Sequence, residues 1–117
     1  MRKRHGEQAT YTPQQGQTVV VYTHRFKPQH YRAGVDFVTK RFPDAQVKLK
    51  QRRHNIFLEN PSTCELLNVT FFEDGASVDE WNAAEARLAT LEELQPMLDG
   101  PIGMQTYAVA GIVGVGE

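Results

Sequence analysis

The sequence places one histidine where a titratable group could do chemistry. His24 lies in the middle of a β-branched and aromatic run, residues 18–26 (TVVVYTHRF), and with a period of two it shares a face with Val20, Tyr22 and Phe26. An imidazole with an ordinary pKa of about 6.5 suits general base catalysis near neutrality; it equally suits a hydrogen-bonded place in a core. Trp81 recurs with Val78 and Leu88 at helical spacing, so it is either the wall of a pocket or part of the core. Tyr22 and Tyr107 can hydrogen-bond a ligand, or pack with their hydroxyls at a polar edge. His30 and His54 fall at a helix start and on a basic segment, where solvation accounts for them.

Other chemistries find too little. Cys64 is the single cysteine, which excludes an internal disulfide framework and a cysteine-based zinc site. No Ser/His/Asp or metal-ligand constellation assembles, and Gly111, Gly114 and Gly116 do not form a phosphate-binding glycine motif ahead of a helix. Lys48, Lys50, Arg52 and His54 share one face of a segment that reads as a strand, with Arg53 opposite, and could grip an anion or RNA phosphates. RNA recognition of that kind needs a glycine- and aromatic-bearing third strand, and residues 65–72 (ELLNVTFF) have neither its glycines nor its leading base; nucleic acid is therefore not the expected partner. Up to His54, twelve Lys or Arg face three acids, whereas from Asn55 onward one base, Arg87, faces eleven acids. The overall charge is only -1, so the two halves are expected to attract each other within the domain or across a dimer.

The elements that must position these residues follow in order. At 117 residues the chain has the length of one domain, expected over residues 18–117, preceded by a basic and polar arm, residues 1–17, with little apolar surface to order it. Residues 18–26 read as a central strand, apolar on both faces. Tyr31, Val35, Val38 and Phe42 form a helical stripe that Pro43 is expected to end. Residues 47–58 and 65–72 read as a strand pair, the first suited to a sheet edge by its Lys and Arg. A second helix is expected to open at a capping box, Ser77 to Glu80, with Val78, Trp81, Ala84, Leu88 and Leu91 facing the core. A repeat of the capping pattern, Thr90 to Glu93, signals a break near Ala89, and Pro96 a stop. Residues 104–115 read as a glycine-punctuated last strand that another backbone approaches closely. The order βαββαβ specifies a ferredoxin-like α+β fold, a four-stranded antiparallel sheet with both helices on one face. The uncovered face then calls for a second copy, giving a homodimer with its sheets face to face. No apolar run approaches the roughly 20 residues of a membrane span and the basic start lacks a signal-peptide core, so a cytoplasmic protein is expected.

On these features the sequence resembles the dimeric α+β barrel superfamily, in particular the antibiotic biosynthesis monooxygenase-like proteins. The resemblance spans nearly all of residues 18–115. It rests on the first strand running into Arg25-Phe-Lys-Pro28, the third ending Asn68-Val-Thr-Phe-Phe-Glu73, the helix carrying Asp79-Glu-Trp81 and the apolar final strand. It implies a pocket between sheet and helices lined by Tyr22, His24, Asn68 and Trp81. There, polar groups deprotonate a phenol or quinol and stabilise an anion that reacts with oxygen, without cofactor or metal; His24 would be base or anion stabiliser. Haem-degrading members need a histidine further along the second helix, where this chain has Thr90, Leu91 and Glu92, which argues against haem. The alternative reading is a non-catalytic small-molecule-binding or assembly module of the same fold.

Overall fold

In a computed structural model describing residues 12–49 and 53–116, the first strand, β1 (Thr18–Arg25), runs through the middle of the sheet. It is followed by a 3₁₀ turn (Pro28–His30), α1 (Tyr31–Val47), β2 (Arg53–Asn60), β3 (Glu65–Phe72), α2 (Gly75–Ala83), α3 (Glu85–Leu94), a second 3₁₀ turn (Gln95–Met97) and β4 (Gly103–Ala108). The strands lie in the order β2-β3-β1-β4, every pairing antiparallel, which is the ferredoxin-like arrangement. Register places Val20 opposite Thr70, Tyr22 opposite Asn68 and His24 opposite Leu66, so these six side chains share one face. All six are buried, beneath Val35, Val38 and Phe42 of α1, Val78 and Trp81 of α2 and Leu94 of α3. Gly34 lets α1 settle on the ring of Phe26: a Cβ there would stand 2.4 Å from ring carbons.

Among the described residues, no helix covers the opposite face. Val21, Leu67, Val69 and Phe71 are half-buried there, and Ile56, Leu58 and Tyr107 are exposed. Ion pairs join the basic half to the acidic half, among them Arg25 to Glu65 at 2.7 Å, Arg32 to Glu59 at 2.9 Å and Arg41 to Glu93 at 2.7 Å. No helix among the described residues is long and apolar enough to cross a membrane.

Several local expectations are corrected. Pro43 does not end α1, which continues to Val47, although a proline inside a helix costs about 3 kcal/mol. Burial of Phe42, Ala45 and Gln46 around it offsets that cost. Consequently β2 begins at Arg53 and Lys48 sits in the turn after α1, so Lys48 does not share the expected basic strand face with His54, while its other members, Lys50 and Arg52, lie outside the described residues. β2 is nevertheless an edge strand.

The N-cap of α2 is Asp74, whose Oδ1 accepts from the Ser77 amide at 2.8 Å and its hydroxyl at 2.9 Å, so the box at Ser77 is superseded one turn upstream. The break falls at Ala84, in extended conformation, and this resets the helical phase. Leu88 is thereby turned outward, 49% exposed, while Thr90 and Leu94 face inward. Thr90 caps nothing; its hydroxyl donates to the Ala86 carbonyl at 2.7 Å. β4 stops at Ala108, and a Cβ added at Gly111, Gly114 or Gly116 would meet nothing within 4 Å among the described residues, so the expected close approach of another backbone is not made there. Of the expected arm, residues 1–11 lie outside the described residues, while Gly16 and Gln17 exchange backbone hydrogen bonds with Val109 and so prolong the β1–β4 pairing.

Candidate functional site

Tyr22, His24, Asn68 and Trp81, the four site residues read from the sequence, line one cavity between the sheet and the helices. β1 supplies Tyr22 and His24, β3 supplies Asn68 across the register from Tyr22, and α2 supplies Trp81. Phe42, Leu91 and Ile102 complete its apolar wall, and Arg87 of α3 its charge. The unfilled space is about 230 Å³ including the part open to solvent, less than drug-sized ligands occupy, and the closed part has room for about one water.

His24 is 3% exposed. Its ring stacks parallel to Phe26 at 6.2 Å and tilts against Phe42 at 6.2 Å, and Nδ1 lies 3.3 Å from the Leu66 carbonyl. A carbonyl can only accept, so Nδ1 carries the proton and Nε2 keeps its lone pair. Burial pushes the imidazole pKa down to about 4; the Leu66 bond opposes this and the nearby Arg87 charge adds to it. At neutral pH His24 is therefore an uncharged acceptor and a weak base.

Tyr22 donates from its hydroxyl to Asn82 Oδ1 at 3.0 Å, and burial raises its pKa to about 12 against the pull of Arg87 and Arg53. It stays protonated and acts as a fixed donor. Asn68 belongs to a polar thread. Gln46 and Asn55 pair through their amides, Asn55 Nδ2 donating to Gln46 Oε1 at 2.7 Å. The Thr70 hydroxyl stands 2.8 Å from Asn55 Oδ1 and 3.2 Å from Asn68 Oδ1, sharing its one proton between them. Trp81, 2% exposed, meets Phe42 edge-on at 6.3 Å, with the guanidinium carbons of Arg53 and Arg87 5.8 and 5.9 Å from its ring centroid.

Arg87 is the residue that pattern reading missed. It is half-buried, lies 5.5 Å over the Tyr22 ring, and donates from Nη1 to the Asn82 carbonyl at 3.3 Å. Burial lowers its pKa, with Tyr22 opposing. Its signal was visible as the lone base among the eleven acids that follow His54. Leu91, which the resemblance would align with a haem-binding histidine, lines the cavity with an isobutyl group that offers no metal ligand. Among the described residues no cluster of three or more His, Cys, Asp or Glu side chains forms a metal site.

A neutral imidazole, an amide, a phenol and a guanidinium converge on one apolar-walled cavity in a ferredoxin-like fold. No protein-family model and no curated protein matches the sequence. Solved structures do share the fold. One of an antibiotic biosynthesis monooxygenase superposes with a TM-score of 0.68 at 8% identity, covering 80% of this chain and 99% of the other. One from Caulobacter crescentus, provisionally assigned the same activity, gives 0.69 at 12% identity, covering 83% and 92%. A Nitrosomonas europaea protein of unknown function gives 0.69 at 16% identity, covering 87% and 98%. At these identities the likeness is one of fold.

Proposed function

We propose that this chain, with residues 18–117 as its one domain, is a cofactor-independent monooxygenase acting on a small phenol or quinol. The observation that carries this reading is the convergence of His24, Asn68, Tyr22 and Arg87 on a single cavity walled by Trp81 and Phe42. In the reaction, the Arg87 charge lowers the pKa of the substrate hydroxyl, and Nε2 of His24 receives the proton of a substrate acidified in this way. Arg87 and neighbouring hydrogen-bond donors then hold the anion. The electron-rich ring carbon adds oxygen to give a hydroperoxide. Loss of water then leaves a carbonyl where a ring C–H stood: one oxygen atom stays in product, the other leaves as water with that hydrogen and the proton given up by the phenol hydroxyl, and no external reductant is consumed. Structures of the same fold that carry the monooxygenase name lend the reading support. We further propose that two copies pair through the helix-free sheet face, where Ile56, Leu58 and Tyr107 are exposed, in a cytoplasmic homodimer.

The test is oxygen consumption across a panel of single-ring phenols and quinols. His24→Ala is expected to lower turnover by about 100-fold or more with the fold retained by circular dichroism. Turnover of no panel member, or an undiminished rate in His24→Ala, sinks the catalytic reading. The smallness of the closed cavity favours a second reading, a binding or assembly module of the same fold, in which His24 and Trp81 only pack. Light scattering over a dilution series tests the dimer: twice the chain mass is expected, and a monomer throughout refutes it.

A further inference from the structure

We infer that the cavity takes its ligand as an anion, an aromatic ring bearing a negatively charged oxygen, and that Arg87 is the group that recognises it. The inference rests on the pocket reading above and names its ligand class. Arg25, Arg32 and Arg41 each close on a carboxylate at the surface. Arg87, half-buried, pairs with none among the described residues. What surrounds it is neutral: the rings of Tyr22 and Trp81, the Asn82 carbonyl and, across the cavity, the uncharged His24 and the amide of Asn68. Of its five guanidinium N–H donors, one makes a hydrogen bond among the described residues.

A cation drawn out of water without a counter-charge is costly, and the cost is relieved when an oxyanion enters and forms charge-assisted hydrogen bonds in the same low-dielectric space. The weakness of His24 as a base leads to the same ligand. Moving a proton from a phenol of ordinary pKa, about 10, to an imidazole at about 4 is strongly uphill. A ligand that arrives ionised, or is acidic enough to ionise beside Arg87, avoids most of that climb.

Trp81 is the only tryptophan in the chain, so its fluorescence reports occupancy of the cavity directly. Titrations at neutral pH compare benzoate with benzamide, and 4-nitrophenol with 4-nitroanisole. The first pair supplies the anion as a carboxylate, the second as a phenolate whose ionisation is visible in its own absorbance. In the wild-type protein at least one anion is expected to bind about tenfold or more tightly than its neutral partner. Arg87→Gln should remove that preference while leaving the neutral compounds within about threefold, and Arg87→Lys should keep part of it.

Anions that bind wild-type protein no better than their neutral partners overturn the inference and leave the pocket reading standing. Equal losses for both members of a pair in Arg87→Gln overturn it as well. Binding of none of the four compounds removes the pocket reading and the inference together. The wild-type comparison decides the matter even if Arg87→Gln fails to fold.

Discussion

Lowering the pH should destabilise this protein through His24. The imidazole is 3% exposed and its pKa is lowered from 6.5 to about 4, chiefly by burial. In the unfolded chain it takes up a proton near 6.5, so between that value and about 4 the unfolded state binds more protons than the folded one. Stability contributed by keeping His24 neutral is therefore full above pH 6.5, falls through the window, and levels off below about pH 4. The whole span of 2.5 units is worth about 3 kcal/mol, of which about 2 kcal/mol is lost by pH 5.

Carboxylates contribute their own slope, so the measurement is a difference. Urea unfolding followed by Trp81 fluorescence would be run at fixed protein concentration from pH 7.5 to 5.0 for wild type and His24→Gln, which keeps a donor for the Leu66 carbonyl. The wild type should lose about 2 kcal/mol more than the variant over that range. Parallel curves would refute the reasoning, since they would mean that His24 protonates as readily inside the fold as outside it.

Gly34→Ala should lower stability by about 1 to 3 kcal/mol despite alanine's better helix propensity, because its methyl would meet Phe26 ring carbons at 2.4 Å; an unchanged melting temperature would show that α1 shifts without strain. Asp74→Ala removes the cap that holds the first turn of α2 and should cost about 1 kcal/mol in urea unfolding, whereas Ser77→Ala should cost less; the reverse order would restore Ser77 as the cap.

The alternation Val20-Tyr22-His24 and the stripe Val35-Val38-Phe42 were legible because each repeats with the period of its own element, and burial in the fold follows that period. The four pocket residues came together for the same reason: strand register and helix phase carry side chains to a common side. What local pattern did not disclose was set by tertiary packing. Pro43 is tolerated because the turn beyond it has Gln46 to anchor it, a partner that only the folded sheet provides. The break at Ala84 instead of Ala89 rotated Leu88 outward and Thr90 inward, a change of phase that two capping patterns in competition could not decide. Arg87 escaped notice because a charge is read from sequence as surface until the walls around it are known.

The thread from Gln46 through Asn55 and Thr70 to Asn68 has a consequence for how the cavity greets a guest. An isolated asparagine can present either its oxygen or its nitrogen by turning about one bond, and so can welcome donors and acceptors alike. Asn68 is held at the end of a relay whose first member stands in the last turn of α1, past the proline that local rules would have made the helix's end. Because the Thr70 hydroxyl also reaches the nearer Asn55 Oδ1 at 2.8 Å, its oxygen can accept from the Asn68 amide nitrogen if that amide turns over. The relay therefore meets the cavity floor at a hydroxyl that tolerates either end of Asn68, and a ligand can find donor or acceptor there.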